Sequence, residues 1–268
     1  MSVAPKHKVK FIKMNGAGND FVIFDARNQE VNLNKEEIIK ISDRKNIGCD
    51  QLIIIRKVDD ADCLMEIYNS DGSLSGACGN ATRCVAAIIN QDSLKIKTAA
   101  GFLKCWREGN LISVDMGKPK FLAKEIPLAK EIDSQNISFF GLSFACVNVG
   151  NPHAVTFVKK LPSDEEFFKI APQIESEVIF SQKTNVEFAK IISDNLLEVR
   201  VWERATGETL ACGSGACAVA ILAIKNGLVK SKKLTTRFKG GDLIIEWNGE
   251  SVIMTGGFEK NFEGEINL

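Results

Sequence analysis

Cys78 and Cys212 are the residues whose type and spacing could carry chemistry together. They open two similar segments, Ala77-Cys-Gly-Asn-Ala-Thr-Arg-Cys-Val-Ala-Ala-Ile-Ile and Ala211-Cys-Gly-Ser-Gly-Ala-Cys-Ala-Val-Ala-Ile-Leu, at an offset of 212 − 78 = 134. In both, the cysteine precedes a small-residue turn, Gly79-Asn80 or Gly213-Ser214-Gly215, and then an apolar run that reads as a helix. Unpaired backbone N–H groups and the positive end of the helix dipole gather at such a start. That predicts a thiol pKa drawn toward neutrality and a cradle for a carboxylate. Two such turns set face to face across one substrate carboxylate could invert an amino-acid α-carbon. One sulfur takes the proton from one face, the other supplies a proton to the opposite face, and amide donors stabilise the charge that develops on the carboxylate. One cysteine of this kind is equally well explained as a small buried hydrophobe. The matched pair favours catalysis.

The elements that must position these thiols follow from the same repeat. An offset of 134 carries Asn69 onto Glu203 and Asp50-Gln51-Leu52 onto Thr184-Asn185-Val186; near the N-terminus it drifts to 132, so Gly18-Asn19 matches Gly150-Asn151. Downstream, Leu94–Met116 parallels Leu234–Met254, with Gly101 facing Gly240-Gly241, and both read as hairpins with turns around Asn110 and Asn248-Gly249. The chain is therefore expected to hold two copies of one domain, 1–118 with Cys78 and 119–268 with Cys212, joined near Met116-Gly-Lys-Pro-Lys120. Each copy reads as strands, a Gly-rich turn with the cysteine, one helix, then strands. The helix after Cys212, Gly215 to about Lys225, is apolar on every face and must be buried on all sides. Strands bury it by curling around it. The expected fold is α+β: two homologous domains, each a curved, mostly antiparallel sheet wrapped around a buried central helix, related by a pseudo-two-fold axis.

Composition narrows the function classes. Lys+Arg and Asp+Glu both number 34 among 268 residues, with no basic stripe or acidic tail, so a nucleic-acid partner is not expected. Apolar runs such as Cys217–Ile224 fall short of the roughly 20 residues a membrane helix needs, and residues 1–8 lack an apolar leader core. A cytoplasmic protein is expected. The eight cysteines contain no C-x-x-C spacing, and the two histidines, His7 and His153, lie far from them in sequence, so neither a disulfide framework nor a metal site is expected. Cys84 and Cys217 sit within the helices and read as inert core thiols.

Ordered blocks through nearly the whole chain resemble the diaminopimelate epimerase family. They are Lys13-Met-Asn-Gly-Ala-Gly-Asn-Asp-Phe21, Tyr68-Asn-Ser-Asp-Gly-Ser73 with Cys78-Gly-Asn80, Gly150-Asn-Pro-His-Ala154, Thr184-Asn-Val-Glu-Phe188, Glu203-Arg204 and Ala211-Cys-Gly-Ser-Gly-Ala-Cys217. The resemblance implies Cys78 and Cys212 as the acid/base pair and Gly79, Asn80, Gly213 and Ser214 as the cradle at the reacting end. It implies Asn19, Gln51, Asn69, Asn151, Asn185, Glu203 and Arg204 around the rest of the substrate, with His153 close to the reacting centre. The implied reaction interconverts LL- and meso-2,6-diaminopimelate on the route to lysine, with no metal, pyridoxal phosphate or nucleotide, and a homodimer is compatible with it. Asn15, Ala81 and Ala205 depart from the family pattern, which favours His or Gln at the first position and Gly at the others. Ala81 lacks glycine's access to positive φ, so a shifted helix start is expected there.

The residues agree on substrate character. Diaminopimelate carries a zwitterion at each end; five carboxamides and a Glu-Arg pair can match donors and acceptors there, with Arg204 suited to a forked contact with a carboxylate. Taken singly, each Asn reads better as a turn residue; for Glu203-Arg204 the alternative is a solvated ion pair, against which the match of Glu203 with Asn69, nine residues before each cysteine, argues. Two rival readings remain: a proline or hydroxyproline racemase of the same fold, whose pocket needs fewer distal polar groups, and a non-catalytic protein using the cysteines as a redox switch.

Overall fold

The structure is a computed structural model that describes residues 8–268. Residues 1–7, including His7 and most of the stretch read for a leader, lie outside the described residues. The chain forms two compact units, residues 8–114 with Gly257–Leu268, and Asp115–Gly256.

In the first unit, β1 (Lys8–Gly16) and β2 (Asn19–Asp25) form an antiparallel hairpin. Helix α1 (Lys35–Ser42) leads to β3 (Gln51–Arg56), parallel to β2, and β4 (Cys63–Asn69) returns antiparallel to β3. After the short β5 (Leu74–Ser75), α2 (Gly79–Ile89) crosses to β6 (Ser93–Thr98), parallel to β4. Strand β7 (Gly101–Glu108) pairs antiparallel with β6, and β8 (Leu111–Asp115) leads out after the turn at Gly109-Asn110.

The second unit repeats this order. After β9 (Ile137–Phe139) come the antiparallel β10 (Leu142–Asn148) and β11 (Pro152–Phe157), then α3 (Asp164–Glu175) and β12 (Asn185–Ser193), parallel to β11. Strand β13 (Leu196–Glu203), the short β14 (Gly207–Glu208), α4 (Gly213–Lys225) and β15 (Lys233–Phe238) follow, with β15 parallel to β13. Antiparallel β16 (Gly241–Trp247) and β17 (Val252–Gly256) close the unit around the turn at Asn248-Gly249. The matched hairpins β6–β7 and β15–β16 turn on Gly101 (φ 122°) and Gly241 (φ 143°), a backbone region that L side chains rarely adopt.

Two expectations need correction. Each unit has two helices where one was read. A pair of parallel strands needs a long crossover, and α1 and α3 supply it between β2 and β3 and between β11 and β12, as α2 and α4 do further on. Both added helices announce themselves by a capping box, Asn34 with Glu37 and Ser163 with Glu166. The last segment also belongs elsewhere. Strand β18 (Glu259–Asn267) runs antiparallel to β1 from Lys8↔Asn267 to Asn15↔Glu259, so 257–268 complete the first unit's sheet rather than the second's. Asn15, one of the departures from the family pattern, donates to Glu259 at 3.0 Å across this pairing.

Strand alternation sorts side chains between two layers. Val22, Phe24, Leu52 and Ile54 pack with Ile38 and Ile41 of α1 on one face of the first sheet. Ala154, Val186 and Phe188 pack with Phe167, Ala171 and Ile174 of α3 in the second. The intervening residues, Phe21, Gln51 and Ile53 in one unit and His153, Asn185 and Glu187 in the other, therefore project to the face opposite α1 or α3. On that side, α4 is buried at Gly213 and from Gly215 through Ala223 and touches β10–β13 and β15–β17, as a helix apolar all round requires. Helix α2 is buried from Gly79 through Ala86. Among the described residues no helix is long and apolar enough to cross a membrane.

Candidate active site

Both cysteines occupy the same local device. Cys78 is the N-cap of α2 (φ −146°, ψ 111°) and its Sγ accepts the N–H of Ala81 at 3.5 Å. Cys212 is the N-cap of α4 (φ −123°, ψ 118°) and its Sγ accepts the N–H of Gly215 at 3.4 Å. Ala81 is not among the positive-φ residues, nor is its counterpart Gly215.

In the first unit the hairpin and strand ends are locked by charge. Lys13 reaches both Asp20 and the Gly48 carbonyl, and Arg44 donates to Asp20 at 2.6 and 2.8 Å and to Asp50 at 2.7 Å. The Asp20 and Asp50 N–H groups each donate to the other's carboxylate at 3.0 Å. Burial pushes the Asp20 carboxyl up, but Arg44 and Lys13 outweigh it and hold it well below the usual range. This clamp joins the residue after Asn19 to the residue before Gln51. Gln51 donates to Asn69, its partner across β3 and β4, at 3.0 Å. Gly16, paired with Asn19, packs so closely on the first turn of α2 that a Cβ there would lie 3.1 Å from both the Asn80 carbonyl oxygen and Arg83 Nη2. Arg83, fully buried, donates to Asn80 Oδ1 at 3.0 Å and to the Gly257 carbonyl at 3.1 Å. Asn19 Oδ1 and Gln51 Oε1 are buried acceptors with no hydrogen-bond partner.

Around Cys212 the partners are ionisable. Thr209 donates to Glu203 Oε1 at 2.5 Å. His153 Nδ1 lies 2.6 Å from Glu187 Oε1 and its Nε2 lies 2.8 Å from Asn151 Oδ1. Asn185 donates to the Pro152 carbonyl at 2.7 Å and accepts the Arg204 N–H at 2.9 Å, while the Arg204 guanidinium donates to the Gln182 carbonyl at 3.0 Å. The loop after Glu203 is held from below by Glu175, which accepts from the Ala205 N–H at 2.9 Å and the Trp202 indole at 2.8 Å.

The thiol at Cys212 does not follow the expected fall toward neutrality. Burial, then the Glu203 and Glu187 carboxylates, pushes it well above the ordinary thiol range; the Ser214 and Gly215 hydrogen bonds oppose that and lose. Burial likewise pushes the Glu203 carboxyl up. The helix-start argument counts donors but not the carboxylates that other strands bring. Cys84 and Cys217 are fully buried, and burial pushes Cys84 up to about 12.

Of the residues singled out in the sequence, the structure joins Gln51 with Asn69, Asn151 with His153, and Asn185 with Arg204. Motif order alone gives no role to Glu187, Arg83 or the Lys13–Asp20–Arg44 clamp. A charged residue inside the apolar run of β12, where the first copy has Ile53, was the signal for Glu187.

Two copies of a sheet wrapped on a helix, each helix headed by a cysteine, define the class. The fold is shared with a PhzF-family phenazine biosynthesis protein from Bacillus anthracis (TM-score 0.69, 15% identity, 98% of this chain and 100% of that one). It is shared too with a hydroxyproline epimerase from Agrobacterium vitis (TM-score 0.67, 13% identity, 97% and 93%). The model of the diaminopimelate epimerase family matches residues 11–122 and 145–260. Sequence similarity extends to the diaminopimelate epimerases of Pelagibacter ubique, 45% identical over 88% of this chain and 90% of that one, and of Sphingopyxis alaskensis, 42% identical over 96% and 97%. The chain belongs to the diaminopimelate epimerase family.

Proposed function

We propose that this protein interconverts LL- and meso-2,6-diaminopimelate by proton transfer at the α-carbon between Cys78 and Cys212, without metal, pyridoxal phosphate or nucleotide. The observation that supports it is the repeated device: each thiol is the N-cap of its unit's buried helix and accepts the N–H three residues on. The mechanism requires the two sulfurs to act on opposite faces of one carbon. In one direction Cys212, whose thiol is pushed well above the ordinary range, delivers its proton, and Cys78 takes the α-proton. The reverse direction exchanges the roles.

The reacting carboxylate is taken by the helix-start amides of Gly79, Asn80, Gly213 and Ser214, which stabilise the charge that grows on it as the proton leaves. Asn19, Gln51, Asn69, Asn151, Asn185, Glu203 and Arg204 hold the remaining groups, with His153 near the reacting centre. The partnerless acceptors Asn19 Oδ1 and Gln51 Oε1 suit an ammonium group; Arg204 suits the distal carboxylate. The reading places the enzyme in the cytoplasm, on the route to lysine, with a small-molecule substrate and neither nucleic acid nor membrane as partner. A homodimer is compatible with it, and light scattering reads the oligomeric state directly.

Turnover in heavy water tests the mechanism. Product should carry solvent deuterium at the inverted carbon from the first turnover in either direction, while substrate recovered early stays largely unlabelled. Early product without deuterium would overturn the two-thiol reading.

A further inference from the structure

Glu187 is a carboxylate where the fold itself asks for a hydrocarbon. It is fully buried on β12, on the face opposite α3, and its counterpart at the same offset in the first unit is Ile53. Its partner His153 is fully buried as well, and the counterpart there is Phe21. The strand registers agree, since Val155 pairs with Glu187 as Ile23 pairs with Ile53. One backbone thus buries Phe and Ile in one copy and His and Glu in the other. Taking an ionisable pair out of water carries a desolvation cost that the hydrocarbon pair never meets. Stability does not account for the acid.

Its surroundings do. Glu187 Oε1 lies 2.6 Å from His153 Nδ1, and Oε2 has no hydrogen-bond partner. A Cβ at Gly215 would lie 2.8 Å from Glu187 Oε1 and 3.4 Å from Cys212 Sγ. Carboxylate and thiol therefore share the first turn of α4, and only glycine leaves room for both. The charged groups facing this turn are Glu187 from β12 and Glu203 from β13, with His153 from β11 beside them; Ser214 faces it from α4 itself. At the matching places in the first unit stand Ile53, Asn69 and Phe21, none of them charged.

We propose that Glu187 is a positioning residue for Cys212: it orients the His153 ring through Nδ1 and sets negative charge against the first turn of α4, which keeps Cys212 in its proton-carrying form. The consequence is a built-in inequality between two otherwise matched thiols, and it rests on the reading of Cys212 as a proton donor.

Alkylation of the full chain with iodoacetamide as a function of pH, followed at Cys212 by peptide mapping, tests this. In Glu187→Gln the Cys212 midpoint should fall by about one pH unit while that of Cys78 stays put. Glu187→Asp, shorter but charged, should keep the Cys212 midpoint near the parent's. An unchanged midpoint in Glu187→Gln, or an equal shift in both variants, would overturn the proposal. Alkylation needs no epimerase turnover, so a shifted midpoint in a protein inert toward diaminopimelate would sink the proposed function alone. A second measurement uses the parent site. With only two histidines in the chain, nitrogen NMR of histidine-labelled protein, assigned with His7→Asn, should find the His153 Nδ1 protonated across the alkylation range. An unprotonated Nδ1 would overturn the proposal even where Glu187→Gln fails to fold.

Discussion

Glu203 stands in the second unit where Asn69 stands in the first, each ending the strand that precedes its cysteine turn. Asn69 accepts from Gln51 at 3.0 Å and Glu203 from Thr209 at 2.5 Å. The same backbone position thus offers a neutral carboxamide in one copy and a titratable carboxyl in the other, and the duplication has kept the frame while the chemistry diverged.

Cys78→Ser and Cys212→Ser should each lower epimerisation by at least about a hundredfold, because a serine hydroxyl is a far poorer acid or base near neutrality. Each variant should retain some exchange of the α-proton with solvent on its surviving face, read by proton NMR. Inversion at near the parent rate in either variant would remove that cysteine from the chemistry.

Arg204→Ala should leave the fold intact, since its structural contacts are a backbone N–H to Asn185 and a solvent-side bond to the Gln182 carbonyl. Loss of a charged hydrogen bond to the distal carboxylate should lower kcat/KM by about 1.5–3 kcal/mol, roughly ten- to 150-fold. Steady-state kinetics beside circular dichroism checks both halves of the expectation.

The clamp at Asp20 should show in acid stability. A carboxyl held below its unfolded value contributes stability above that value and loses it as pH falls through the folded one. Asp20→Asn should therefore be less stable than the parent by about 1–3 kcal/mol at neutral pH. That gap should close as pH drops below the ordinary aspartate value of 3.8. Urea titrations at several pH values would show a constant gap if Asp20 were uncoupled from Arg44 and Lys13.

Ala205 adopts a left-handed backbone, φ 62°, at an exposed turn whose N–H is held by Glu175. Side chains there cost about 1–2 kcal/mol, and glycine's looser unfolded chain returns about 0.4–1 kcal/mol of that. Ala205→Gly should leave thermal stability unchanged or slightly raised. A clear fall in Tm would contradict the strain.

Several parts of this architecture were legible in the residues and others were not, for physical reasons. The burial of α4 could be read because a helix apolar on every face has only one stable home. The equivalence of the two units could be read because one offset carries a turn, a helix and a hairpin together. Helix α1 is only eight residues long, too short to impose a period against the strands beside it. Strand β18, Glu-Lys-Asn-Phe-Glu-Gly-Glu-Ile-Asn, is mostly exposed and shows little apolar alternation, so nothing local ties it to β1. For the proposed site, motif order points to the cysteines and carboxamides, whereas Glu187 sits in an apolar strand whose neighbours set its reading.

The pairing of β18 with β1 also sets an order of assembly. The whole of Asp115–Gly256 is synthesised between those two strands. As the chain leaves the ribosome, the second unit can close upon itself while β1 still waits with one edge open. That edge is a template for stray strands, so the interval before β18 emerges is the period in which the nascent chain is most exposed to misassociation.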